Sequence, residues 1–148
     1  MDNDTIIIGL TGPFGSGCTY VAHKFIEQFG YQYLSLSDVL RDEFSKQENS
    51  DDSIRNNLQE FGDKLREENG ADYLAKCIEK KISNNHTTKK WIVDSIRNTH
   101  EIEFLRKLPG KFYLMAIWAD KDTRWDRVKN LYKKEMATFE KDDKRDSD

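Results

Sequence analysis

Gly12, Gly15, Gly17 and Thr19 punctuate the octapeptide Gly12-Pro13-Phe14-Gly15-Ser16-Gly17-Cys18-Thr19 so that it can bend tightly and end on a hydroxyl. An octapeptide of this kind between a strand and a helix cradles phosphate oxygens, because successive backbone N–H groups turn inward where the helix presents its positive end. The full phosphate-loop pattern, G-x-x-x-x-G-K-[ST], places a lysine against the outer phosphates and a hydroxyl on magnesium. Thr19 supplies the hydroxyl, but Cys18 stands where the lysine belongs. The chain is therefore expected to hold a nucleotide while lacking the side chain most directly tied to moving a phosphoryl group. Cys18 has two readings: a thiol at a helix N-terminus whose pKa is lowered and which responds to redox, or a small neutral side chain filling the lysine's place.

A phosphoryl-transfer site also needs a carboxylate near magnesium and cations for a second substrate. Asp94 closes the apolar run Trp91-Ile92-Val93, at the strand end where open α/β sheets bind ligands. It reads as a metal-holding acid or as a strand-end turn former. Arg97, three residues on, suits an anionic phosphate or a surface ion pair. Asp38 and Arg41 lie one helical turn apart and either line an acceptor pocket or form a helix-surface pair. Arg124 and Arg127 share a helical face, within reach of a bound base or phosphate. His23, His86 and His100 are scattered without partners at ligand or triad spacing, so nucleophilic and metal-hydrolase readings lack support.

Those side chains need a scaffold. Thr5 to Leu10 reads as a strand, and Val21 and Phe25 mark one face of a first helix ended by Gly30. Tyr31 to Leu36 reads as a second strand, with Ser37 as the N-cap of a helix from Val39 to Lys46. Residues Gln47 to Ser53 form a polar loop. Ile54, Leu58, Phe61 and Leu65 recur at helical spacing up to Gly70, and a helix from Tyr73 to Ile82 follows, with Cys77 as core packing. Trp91 to Asp94 is the third strand, and Ile102, Leu105 and Leu108 mark a helix stopped by Pro109-Gly110. Phe112 to Trp118 is nearly all apolar, as a central strand covered on both faces would be. The next helix turns Trp125, Val128 and Tyr132 inward, and the charged run from Glu140 to Asp148 reads as a solvated tail. Alternating strands and helices imply a parallel sheet in an α/β fold.

At 148 residues the chain is one domain's worth. A net charge of only -3 and the absence of a basic patch with interleaved aromatics argue against a nucleic-acid partner. No apolar run has membrane-spanning length, and Met1-Asp2-Asn3-Asp4 lacks a signal peptide's positive start, so a cytoplasmic location is expected. Two distant cysteines make neither a disulfide framework nor a zinc site.

Several segments in order carry a resemblance: Gly9-Leu10-Thr11-Gly12, Ser37-Asp38-Val39-Leu40-Arg41, the stretch from Asn57 to Gly70, and Asp94-Ser95-Ile96-Arg97-Asn98 with Glu101 to Arg106. From Ile6 to Arg145 the chain resembles the P-loop nucleoside-monophosphate kinase superfamily, close to dephospho-CoA kinase and deoxynucleoside monophosphate kinase. With its lysine-less loop and the segment Phe139 to Asp146, it is similar to the N-terminal kinase-like module of bacterial deoxycytidylate-deaminase-like proteins, including those of phage defence. The resemblance implies a three-layer α/β/α P-loop NTPase fold over residues 1–148, with 119–148 as the final helix and the start of a mobile lid. It implies that a last strand and helix are missing, which agrees with the four-strand count and with this being the front of a longer polypeptide. It also implies ATP or another nucleoside triphosphate with Mg2+, held by the loop Gly12 to Thr19, Asp94 and Arg127, and an acceptor phosphate on Arg41 and Arg97. A zinc deaminase's H-x-E and P-C-x-x-C are absent, so a deaminase domain or partner would lie outside these residues. Two functions follow: a regulatory nucleotide-binding module, or an active kinase in which another cation replaces the lysine.

Overall fold

The computed structural model describes the backbone of residues 1–46 and 54–145, with side chains described for 1–46 and 58–144. The polar loop expected at Gln47 to Ser53 lies outside the described residues. Four strands, β1 (Ile6–Thr11), β2 (Gln32–Ser35), β3 (Lys90–Asp94) and β4 (Lys111–Ala116), form one parallel sheet in the order β2-β3-β1-β4. Seven helices are described: α1 (Cys18–Phe29), α2 (Leu36–Lys46), α3 (Ile54–Asn69), α4 (Tyr73–Ser83), α5 (Thr99–Arg106), α6 (Lys121–Val128) and α7 (Met136–Arg145).

Alternation along the central strands sorts the core into two layers, because successive side chains leave opposite faces of a sheet. Ile7, Trp91 and Val93 meet Val39 of α2, Leu74 and Ile78 of α4 and Leu105 of α5. Ile8, Leu10 and Ile92 meet Ala22 of α1 on the other side. This is the expected three-layer α/β/α arrangement. Since every strand is parallel, the loops after β1, β2 and β3 emerge at one edge, and the chemistry gathers there. Among the described residues no helix is long and apolar enough to cross a membrane.

Four expectations are corrected. Among the described residues β4 pairs with β1 alone, and where coverage on both faces was expected, Tyr113 is 56% and Leu114 37% exposed. An apolar composition reports an absence of charge, not which neighbours arrive. Ser37 is not an N-cap: α2 begins at Leu36, whose burial draws the chain straight from strand into helix, and Ser37 lies in its first turn. The charged run after Phe139 is not a solvated tail as far as Arg145. It continues α7, where Phe139 and Asp142 are buried, the latter accepting a hydrogen bond from the Tyr132 hydroxyl at 3.0 Å. Tyr132 itself lies beyond the end of α6, although buried as expected, since α6 stops at Val128.

Candidate functional site

The loop of residues 12–17 is stitched into the sheet edge before it turns. The Thr11 hydroxyl donates to Ile96 O at 2.9 Å, and the Ile96 N–H donates to Leu10 O at 3.2 Å, so the segments after β1 and β3 are held side by side. Gly12 is packed so closely that a Cβ there would lie 2.3 Å from Ile117 O. Gly17 caps α1 at φ 108°, a left-handed conformation that favours glycine, and no side chain caps the helix. The first-turn amides of α1 are thereby left to whatever the loop encloses. The buried Ser16 folds inward, its N–H donating to Pro13 O at 3.0 Å and its hydroxyl lying 3.5 Å from the Cys18 thiol.

Beneath the loop, the Thr19 hydroxyl donates to Asp94 Oδ2 at 3.0 Å. The Tyr33 hydroxyl donates to the same oxygen at 3.1 Å, and the Ser95 N–H donates to Oδ1 at 2.6 Å. Ser95 adopts φ 65°, an uncommon conformation for a residue with a Cβ and one that functional sites often hold. Burial and the Asp94 charge push the Tyr33 hydroxyl up to about 12, so it remains a donor. Sequence reasoning missed Tyr33, because an aromatic residue in a strand gives no sign of where its hydroxyl ends.

The Cys18 thiol is also pushed up, by burial first, with the Asp94 charge adding to the effect and the Ser16 hydrogen bond and Arg97 charge opposing it. Of its two readings, the lowered, thiolate-prone one is therefore corrected: desolvation outweighs the Ser16 hydrogen bond and the Arg97 charge, which favours the neutral thiol. An oxygen pair such as Thr19 and Asp94 suits Mg2+, which prefers hard oxygen ligands and completes its shell with water and phosphate. Among the described residues no group of three or more His, Cys, Asp or Glu forms a self-sufficient metal cluster.

Asp38 and Arg41 are both exposed and form an ion pair, Arg41 Nη1 donating to Asp38 Oδ1 at 2.6 Å. The Asp38 charge is felt at Tyr33 and the Arg97 charge at Cys18, which ties both residues electrostatically to the loop region. Arg97 is exposed, and its backbone is held by Glu101, a second residue that sequence reasoning passed over. Glu101 is fully buried; its Oε2 accepts the N–H groups of Arg97 at 2.9 Å and Asn98 at 3.3 Å, while Oε1 accepts Arg66 Nε at 3.3 Å and Nη2 at 3.1 Å. The spacing Asn98-x-x-Glu101 is a capping-box signal that would have located it.

The α6–α7 unit closes the loop's outer side. Phe14 packs edge-on to Tyr132, inside a cluster of Val128, Tyr132 and Phe139. Arg124 is buried and donates to Asp143 through both Nη atoms, to Ala119 O at 3.1 Å and to Phe14 O at 3.3 Å. Arg127 Nη1 donates to Gly15 O at 3.0 Å and to Ser16 O at 2.9 Å. Both arginines thus reach the loop, where sequence reasoning placed them near a base or phosphate. Asp143 was hidden in a run of charged residues of both signs.

A parallel sheet, a glycine-rich turn into α1, and a hydroxyl–carboxylate pair beneath it define a P-loop nucleotide-binding domain of kinase architecture. The sequence model of one family, described as an AAA domain, matches residues 11–141, and the chain belongs to that family. The chain is 29% identical over 125 residues to a UPF0200 protein of Methanothermobacter thermautotrophicus, covering 84% of this chain and 60% of that protein. It is 33% identical over 125 residues to a UPF0200 protein of Sulfurisphaera tokodaii, covering 82% and 64%. A dephospho-CoA kinase of Pasteurella multocida is 30% identical over 114 residues, covering 77% and 53%. The chain spans about three-fifths of the length of the UPF0200 relatives. Among solved structures, TT1252 from Thermus thermophilus superimposes with a TM-score of 0.62 at 19% identity, covering 97% of this chain and 81% of that one. Shikimate kinase from Acinetobacter baumannii in complex with shikimate gives 0.52 at 13% identity, covering 88% and 65%. These two likenesses concern the fold.

Proposed function

We propose that this chain is a nucleotide-binding module that holds a nucleoside triphosphate with Mg2+ in the loop from Gly12 to Thr19, in a regulatory rather than a catalytic capacity. The observation that carries the reading is the Thr19 hydroxyl on Asp94 at 3.0 Å, directly beneath a loop whose helix has no side-chain cap. Thr19 and Asp94 would hold the metal, and Arg127 would flank the nucleotide from α6. Mg2+, when bound, offsets charge on the outer phosphate oxygens. The backbone donors that grip phosphate are retained. A lysine at position 18 is absent, and comparable electrostatic deletions cost about 3 kcal/mol, roughly a hundredfold in rate. The resemblance to deaminase-associated modules makes an attached or partner deaminase the controlled element.

A second reading, an active nucleotide or dephospho-CoA-type kinase, is favoured by one arrangement: Asp38, Arg41, Asp94 and Arg97 lie at the same sheet edge as the loop, as an acceptor site requires. The relative that is a dephospho-CoA kinase supports it as well. Calorimetry with MgATP and MgdCTP, run beside a coupled assay offering ATP with deoxynucleoside monophosphates or dephospho-CoA, separates the two. Binding without turnover is expected; Mg2+-dependent transfer establishes the kinase instead, and no binding of either triphosphate sinks both.

A further inference from the structure

The carbonyls of three consecutive loop residues are taken by two arginines of one helix. Arg124 donates to Phe14 O at 3.3 Å, and Arg127 donates to Gly15 O at 3.0 Å and Ser16 O at 2.9 Å. A trans peptide unit points its N–H away from its own carbonyl, and none of the peptides is cis among the described residues. Pinning these carbonyls toward α6 therefore turns the N–H groups of Gly15, Ser16 and Gly17 away from α6 and into the loop. The Ser16 N–H on Pro13 O across that interior agrees with this orientation. A cation on the carbonyl end also polarises each peptide, making its N–H a better donor.

Arg124 cannot act as a mobile charge for phosphate, because Asp143 engages both its Nη atoms. Arg127 is exposed, yet its Nη1 lies only 3.7 Å from where a Cβ on Gly17 would sit. Its hydrogen bonds are spent on the back of the loop, which suits an orienting role. We infer that Arg127, seconded by the Arg124–Asp143 pair, is the positioning residue that aims the loop amides inward in a loop that has no lysine. Grip on a polyphosphate is thereby made conditional on α6 and α7 being docked. This deepens the nucleotide-binding reading and rests on it.

The test compares wild type, R127M, C18K and C18K/R127M for binding of magnesium tripolyphosphate, which has no base, and of MgATP. Amide spectra of Gly15 and Gly17 are recorded alongside. R127M is expected to weaken both ligands tenfold or more, and C18K/R127M to fall equally far below C18K, because a new charge does not orient peptides. The Gly15 and Gly17 amide shifts seen with tripolyphosphate in wild type should shrink in R127M at saturation. Wild type that binds neither ligand overturns the nucleotide reading itself. Wild type that binds, with R127M within twofold of it, overturns the positioning role alone. Full rescue by C18K does so too, since it would make Arg127 a source of charge. Arg127 is on the surface, so R127M should keep the wild-type unfolding temperature.

Discussion

Thr19 and Asp94 are 75 positions apart, yet the hydroxyl of one donates to the carboxylate of the other at 3.0 Å, joining the first turn of α1 to the end of β3. The pairing follows from β1 and β3 being hydrogen-bonded neighbours in parallel register, so that what leaves one strand meets what leaves the other. If this pair holds Mg2+, D94N should remove the magnesium-dependent part of triphosphate binding and leave affinity in EDTA unchanged. Calorimetry with and without the metal checks it, and an undiminished metal dependence in D94N would contradict the assignment.

Replacing Cys18 with lysine restores a cation at the mouth of the loop. Affinity for MgATP should rise about tenfold, an increment of about 1.4 kcal/mol. An unchanged or weaker affinity would count against the loop as the phosphate site.

Burial raises the Cys18 thiol above its ordinary value, so little thiolate exists at neutral pH. Alkylation by iodoacetamide at pH 7.5 should be slower than for free cysteine, should accelerate above about pH 9, and should be suppressed by MgATP. Mass spectrometry of the peptide containing residue 18 reads all three, and fast labelling at neutral pH would refute the buried, neutral thiol.

Glu101 is fully buried and answers donors from Arg66, Arg97 and Asn98. E101Q leaves Arg66 facing a neutral group, and breaking one partner of a buried pair costs about 3 kcal/mol. Urea unfolding should show a loss of that order; a loss below about 0.5 kcal/mol would mean that the contact contributes little.

Arg124 beside Asp143 holds that carboxyl below its ordinary value of 3.8. A depressed carboxylate pKa stabilises the fold above the unfolded value and loses that contribution as pH falls through the folded one. Wild type should exceed D143N in stability at pH 6 by about 2 kcal/mol, and the two should converge only as the pH falls well below 3.8, through the depressed folded value. A gap that persists in acid would assign the effect to packing instead of charge.

The strand and helix order was legible from periodicity because each amphipathic element has to bury one face, and that requirement is local. The loop was legible because its glycines and hydroxyl are contiguous. The order of the strands was not. β4 reads as central on composition, yet among the described residues it pairs with β1 alone, since strand pairing is a relation between distant segments.

By itself the sequence determined the elements, the parallel α/β class and the place of the glycine-rich loop, all set by short-range spacing and backbone sterics. Only the tertiary structure decided that Tyr33 and Thr19 share Asp94, that Glu101 clamps Arg66, that burial raises the Cys18 thiol, and that two arginines of α6 grip the back of the loop. Hydrogen bonds and desolvation depend on which groups meet in space, and those meetings exist only once the sheet has assembled.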